Sequence, residues 1–205
     1  MVKPKWLLPV WRMARIVKEL PRNVRAMFRG QELRTTEAGR RGLLNLARTL
    51  PDGSVMVEIG SYRGESAEIF LSSGRVARIF CVDPWKRFYD LNDASAYTDM
   101  KEVELDFDRR HADDPRVVKV KGTIETFIER HGGEVIDFVY VDGCHTYQGA
   151  KNDILKARDC VRPRFAIGGH DWTWPGIGDA VRETLGEPDQ VFEDTSWVKK
   201  LNTDK

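Results

Sequence analysis

The chain is predicted to fold as a doubly wound α/β domain: a mostly parallel, seven-stranded sheet that ends in a C-terminal antiparallel hairpin. Three observations predict it. Short apolar runs alternate with amphipathic stretches between residues 55 and 185, the rhythm of a parallel sheet covered on both faces. The first of these runs ends in an acid and a glycine turn, Glu58-Ile59-Gly60-Ser61-Tyr62-Arg63-Gly64-Glu65-Ser66, which opens into a helical pattern. The tail then breaks the rhythm with two short β-like runs, 190–193 and 196–201, separated by almost nothing.

The elements follow in order. Val10, Met13, Ile16, Val17 and Leu20 recur at helical spacing, and Pro21 starts a second short helix. Thr35 or Thr36 caps a helix through Leu50, which Pro51-Asp52-Gly53 ends with turn chemistry. Strands are expected at 55–59, 76–82, 117–120, 136–141 and 165–167. Helices are expected at 65–73, within 95–110, and at 123–130, 147–160 and 177–185. This divides the chain into a basic amphipathic helical arm, 1–34, and an α/β domain, 35–205.

Composition narrows the class. The chain has 205 residues, 41% hydrophobic and 32% charged, which suits one globular domain with a substantial core. The net charge of +1 conceals an asymmetry. Residues 1–41 hold 11 Lys/Arg against 3 Asp/Glu, a net +8, and the remainder is −7. A basic arm carrying Trp6 and Trp11 suits either a solvated helix or peripheral contact with an anionic membrane surface. The apolar run from Trp6 to Trp11 is too short to span a bilayer and lacks a signal-peptide cleavage site. Cys81, Cys144 and Cys160 show no metal-type or disulfide spacing, so the expected residence is cytoplasmic. The basic residues gather on one arm without a nucleic-acid module, so nucleic acid is not an expected partner. A homo-oligomer is compatible with all of this.

Ligands of open parallel sheets sit outside the carboxyl ends of the strands, so the strand ends carry the chemistry. Gly60 and Gly64 let the backbone approach a ligand, and Ser66 with nearby N–H groups suits a carboxylate. The spacing is G-x-x-x-G, unlike the G-x-G-x-x-G that backs a pyrophosphate. Asp83 ends the second strand 19 residues after Gly64, where an acid meets ribose hydroxyls in nucleotide-binding folds. Trp85 follows, suited to cover the sheet edge or to stack on a base. Thr123-Ile124-Glu125 opens a helix after the third strand. The fourth strand ends in Tyr140-Val141-Asp142-Gly143-Cys144-His145, and the fifth in Gly168-Gly169-His170-Asp171-Trp172. Asp142, His170 and Asp171 suit a divalent cation, Mg²⁺ first, with the imidazole admitting a softer ion. His145, with its near-neutral ordinary pKa, suits removal of a proton from a hydroxyl. His111 and His131, on polar stretches, read as structural.

These residues resemble the S-adenosylmethionine-dependent methyltransferases from about Thr35 to the C-terminus, a family whose parallel sheet also ends in an antiparallel hairpin strand. The glycine turn is similar to that of catechol O-methyltransferase. The segments V-D-G-C-H-T-Y and G-G-H-D-W, then Pro175-Gly176-Ile177 with Ala180-Val181, resemble a bacterial group of macrocin-type sugar O-methyltransferases and cephalosporin hydroxylase-like proteins. The resemblance implies a Rossmann-like fold with S-adenosylmethionine held by Glu58, Gly60, Ser61, Tyr62, Gly64, Ser66, Asp83, Trp85, Thr123, Ile124, Glu125 and Asp142. It implies a metal at Asp142, His170 and Asp171, with Asp142 and His145 catalytic. His145 stands where the catechol enzymes have a lysine, and His170 where they have an oxygen ligand; both are departures. The implied reaction is metal-assisted O-methylation of a small-molecule hydroxyl, on a sugar or glycan precursor first and a catechol-like phenol second. A nicotinamide-dependent oxidoreductase and a non-catalytic binding protein that keeps the fold are the alternatives.

Overall fold

The computed structural model describes residues 35–90 and 93–201. The expected arm, 1–34, lies outside the described residues. Among them the elements run α1 (Glu37–Arg48), β1 (Ser54–Ile59), α2 (Glu65–Ser72), β2 (Val76–Asp83), a 3-10 turn (Ala94–Tyr97) and α3 (Met100–His111). Then come β3 (Val117–Lys121), α4 (Ile124–His131), β4 (Phe138–Val141), α5 (Tyr147–Lys156), β5 (Ala166–Gly169), α6 (Pro175–Leu185), β6 (Gln190–Val191) and β7 (Trp197–Lys200). A π-helical turn, Ala157–Val161, extends α5.

The seven strands form one sheet in the order β3-β2-β1-β4-β5-β7-β6. All pairs from β3 to β5 are parallel; β7 runs antiparallel to both β5 and β6. The chain thus reverses its direction of travel at β1, and the crevice between β1 and β4 is the switch point where open sheets take ligands. Alternation along β1 shows why the strands read as unbroken apolar runs. Met56 points into one apolar layer with Leu46, Phe70 and Tyr140, while Val57 points into the other with Phe80, Phe127 and Trp197. Both are fully buried, so both faces of the strand favour apolar residues.

Local chemistry sets the boundaries. Thr36 caps α1, its hydroxyl accepting the Gly39 N–H at 3.1 Å. The helix stops at Arg48 instead of running to Leu50, because Thr49 and Leu50 turn tightly onto the Leu46 and Ala47 carbonyls. β4 begins two residues later than expected because Asp137 is occupied as a clamp. Its carboxylate accepts the Val55 N–H at 2.9 Å and the Arg164 Nε–H at 2.9 Å, tying the starts of β1 and β4 together. β6 is shorter than the expected 190–193. The chain bends at Thr195, with φ +67°, and the Asp194 carboxylate takes the Ser196 N–H and hydroxyl. Asp137→Ala leaves the half-buried Val55 N–H without its acceptor and is expected to cost about 1–3 kcal/mol, read by urea unfolding.

Candidate active site

The backbone ladder continues one residue past each strand end. Gly60 N–H donates to Val82 O, Gly122 N–H to Asp83 O, Asp142 N–H to Ile59 O and His170 N–H to Val141 O, at 2.8–3.2 Å. Asp83, Gly60, Asp142 and His170 therefore stand in a row along the carboxyl edge. Gly60 must be glycine, since its φ is +90° and a Cβ there would lie 2.0 Å from the Asp142 carbonyl oxygen. The turn that follows is pinned from outside. A Cβ on Gly64 would lie 2.3 Å from His111 Nε2, and that buried ring bonds the Gly64 carbonyl at 3.0 Å. Arg63 pairs with Asp106, and Arg110 donates to the Arg63 carbonyl and to Glu68.

Beneath the turn lies an unusual pair of buried groups. Glu58 and Ser61 are almost wholly enclosed, and neither Glu58 oxygen nor Ser61 Oγ finds a partner at hydrogen-bonding geometry. Burial pushes the Glu58 carboxyl up to about 7, against the pull of the Ser66 and Ser61 hydroxyls. These are polar groups with capacity left for a ligand's polar atoms. Asp83, by contrast, already accepts the Tyr62 N–H at 2.9 Å and the Trp85 N–H at 2.6 Å. Its carboxylate organises the turn while keeping acceptor lone pairs to spare.

Two side chains expected at the base of a nucleoside are core residues in the structure. The Trp85 ring is buried against Phe107, and its indole N–H holds the Tyr62 carbonyl at 2.9 Å. Ile124 is fully buried in the layer around Phe127 and Val139. Both are large apolar groups beside sheet ends, and burial outweighs any exposed role. Thr123 and Glu125 remain at the α4 start. There Thr123 bonds Glu125 at 2.5 Å and Lys156 pairs with it at 3.1 Å. Burial opposes the Glu125 charge, but those partners hold its pKa down to about 2.

Asp142, His145, His170 and Asp171 do come together, around a small hollow also lined by Cys144 and Trp197. His145 Nε2 lies 3.0 Å from Asp171 Oδ2 and 4.0 Å from Asp142 Oδ1. His170 Nδ1 lies 3.0 Å from Asp171 Oδ1. One donor atom each from Asp142, His170 and Asp171 falls within 4.8 Å of the others, a spacing that fits a divalent cation. Asp171 is held at φ +57°, a left-handed conformation uncommon for a residue with a side chain. The Trp197 indole N–H secures the His170 carbonyl at 3.1 Å. Sequence reasoning missed Asp90, whose carboxylate accepts from His145 Nδ1 at 2.8 Å, and Trp174, whose ring centroid lies 5.3 Å from that of His145.

Charge is concentrated here. Burial disfavours the His145 cation, yet Asp171, Asp142 and Asp90 outweigh it and raise its pKa to about 10. Burial likewise opposes His170, which Asp171 and Asp142 raise to about 9. Burial pushes Asp142 up to about 6 against the pull of both imidazoles. Asp171 is held well below the usual carboxylate range, its two histidine bonds overcoming burial.

Residues 57–172, more than half of the chain, match the family model of the methyltransferase domain. The chain belongs to that family. The matched span contains the whole carboxyl edge from Glu58 to Asp171. Solved structures repeat the Rossmann-like methyltransferase fold at low identity. S-adenosylhomocysteine-bound methyltransferase PaMTH1 of Podospora anserina has a TM-score of 0.55 at 14% identity, with 96% of this chain and 99% of that one covered. Aeropyrum pernix fibrillarin, solved with natively bound S-adenosyl-L-methionine, has a TM-score of 0.51 at 15% identity over 77% and 73% of the chains. An NADB-Rossmann superfamily protein of Streptococcus agalactiae scores 0.53 at 11% over 82% and 68%. No curated protein matches the chain in sequence. No helix among the described residues is long and apolar enough to cross a membrane.

Glu58 gives this methyltransferase domain a stability signature. Its folded pKa lies above the ordinary carboxylate value, so the folded state binds more protons than the unfolded one, and stability falls as pH rises through that window. Glu58→Gln removes the dependence. Its stability relative to wild type is expected to rise by up to about 3 kcal/mol between about pH 4 and 8, read by denaturant melts across pH.

Proposed function

We propose that this protein transfers the methyl group of S-adenosylmethionine to a hydroxyl of a small molecule, with a divalent cation, Mg²⁺ first, at Asp142, His170 and Asp171. The observation that carries the reading is the placement of a glycine turn with partnerless buried Glu58 and Ser61 directly beside a two-carboxylate, two-imidazole cluster. One wall suits the donor and the other suits the acceptor. Gly60, Ser61 and Tyr62 line the methionine part, with Ser66 near its carboxylate and Gly64 opening the helix. Asp83 takes ribose hydroxyls on its remaining lone pairs. Thr123 and Glu125 border the adenine.

In the transfer the sulfonium C–S bond breaks as an O–C bond forms in line, and the hydroxyl proton goes to His145 Nε2. The products are a methyl ether and S-adenosylhomocysteine. The protein's part is alignment and proton management. A cation bound at the three ligands would lower the pKa of the acceptor hydroxyl. As described, His145 keeps its proton until about pH 10, because Asp171 and Asp142 favour the imidazolium. Once those carboxylates are committed as ligands, that hold weakens and Nε2 is free to accept.

The acceptor is a sugar or glycan precursor first and a catechol-like phenol second. Exposed Phe88, Tyr89, Tyr97 and Trp174 supply the aromatic faces such rings stack on. The basic arm is proposed to touch an anionic membrane surface, where lipid-linked acceptors reside, and the domain to act in the cytoplasm.

Calorimetry is expected to show binding of S-adenosylhomocysteine and none of NAD; the reverse would move the protein to nicotinamide chemistry. A methyl-transfer screen over sugar nucleotides, glycosides and catechols, with and without EDTA, tests the acceptor, and an unchanged rate in EDTA removes the metal. His145→Ala and Asp142→Ala are each expected to lower turnover at least about a hundredfold. Near-wild-type methylation by both sinks the site. Any rate remaining in EDTA is expected to rise with pH toward about 10, and added Mg²⁺ to move that rise to lower pH. Coincident pH profiles would separate His145 from the cation.

A further inference from the structure

The proposed reaction leaves one buried carboxylate at the site without a part. Asp90 is only 5% exposed, and it reaches the site from an unexpected direction. It follows Asp83 at the end of β2, yet its side chain meets His145, beyond the end of β4. β1 lies between those two strands. The segment from Asp83 to Asp90 therefore crosses the carboxyl edge of β1 to bring an acid to the imidazole.

The contact is twofold and uses a single oxygen. Asp90 Oδ2 accepts the His145 backbone N–H at 2.5 Å and the ring Nδ1–H at 2.8 Å. The first bond locates the loop relative to the His145 main chain; the second fixes the ring's rotation. Once Nδ1 is bonded to an acceptor-only group, its proton is assigned, and Nε2 is left as the nitrogen that exchanges protons. That atom faces Asp171 at 3.0 Å and Asp142 at 4.0 Å, the side where the acceptor hydroxyl belongs. Trp174 packs against the same ring and limits its freedom further.

We infer that Asp90 is a positioning residue for the proton acceptor, holding His145 by Nδ1 so that Nε2 alone addresses the substrate hydroxyl. The inference rests on His145 being the acceptor of that proton. It concerns which nitrogen acts and how it is aimed.

The test uses the full chain with ¹⁵N-labelled histidine. In the wild type, the His145 Nδ1 proton is expected as a downfield resonance protected from solvent exchange. Asp90→Ala is expected to lose that resonance and to lower kcat about 10–100-fold, the usual effect of removing an orienting partner. Its dissociation constant for S-adenosylhomocysteine should stay unchanged. Asp90→Glu, which keeps the acceptor, is expected to regain part of both the resonance and the rate. An exchange-exposed Nδ1 in the wild type overturns the inference, and so does an Asp90→Ala variant with wild-type kcat. If Asp90→Ala does not fold, the wild-type resonance and Asp90→Glu decide. His145→Ala separates the two levels: wild-type turnover there removes the proton-acceptor role itself, whereas wild-type turnover in Asp90→Ala alone removes only the positioning.

Discussion

The approach of Gly60 to the carbonyl of Asp142 sets the geometry on which the rest of the edge depends. A side chain cannot fit between them, since its first carbon would lie 2.0 Å from the carbonyl oxygen. The ends of β1 and β4 therefore sit closer than any other residue would allow. That closeness places the glycine turn on one side of the crevice and Asp142 with His145 on the other. Methyl transfer needs the donor carbon and the accepting atom held in line, so the separation of the two walls is itself part of the chemistry. The anchors around the turn make sense in that light. Asp83 holds the Tyr62 and Trp85 amides, Trp85 holds the Tyr62 carbonyl, and His111 holds the Gly64 carbonyl. Each fixes a main-chain atom of the turn or its flank.

The second organising constraint is burial on both faces of the sheet. Because β1, β2 and β4 are covered above and below, polar groups are driven to the carboxyl edge, and those kept inside carry visible costs. Glu58 shows the cost most plainly, since burial pushes its carboxyl up to about 7. Asp137 shows the opposite outcome at the other end of the strands, where its oxygens are used by Val55 and Arg164 and the clamp helps to fix the β1–β4 pairing. A satisfied acid at the strand starts serves structure. A partnerless acid at the strand ends is the one with capacity for a ligand.

Much of this was legible in the sequence because the same constraint writes it there. Strands buried on two faces must be continuous apolar runs, and an acid, glycine or histidine ending such a run marks the edge, which is how Glu58, Asp83, Asp142 and His170 stood out. Boundaries were less legible where a side chain intervened, as with the Asp137 clamp before β4 and the Asp194 turn that shortens β6. Trp85 and Ile124 lie in the core, an orientation that adjacency to a motif does not specify. Asp90 was illegible for the converse reason. It lies in an aromatic stretch without periodicity, and no local pattern reveals that this stretch crosses β1 to reach His145.

Taken together, the acids at the edge outnumber the bases that answer them. Asp90, Asp142 and Asp171 surround His145 and His170, and Glu58 lies beneath the adjoining turn. Even with both imidazoles protonated, three ionised carboxylates leave the cluster with negative charge, and burial adds to the cost of holding Asp142 and Glu58 ionised. Such a site gains from positive ligands. The proposed donor brings a sulfonium and an ammonium against one carboxylate, a net single positive charge, and the proposed cation brings two charges more. A nicotinamide dinucleotide, whose pyrophosphate is anionic, would instead face these carboxylates without an offsetting basic side chain among the residues that line the hollow, apart from the two histidines already committed to Asp171. The electrostatics of the edge thus favour the methyl donor on grounds separate from the spacing of the glycines.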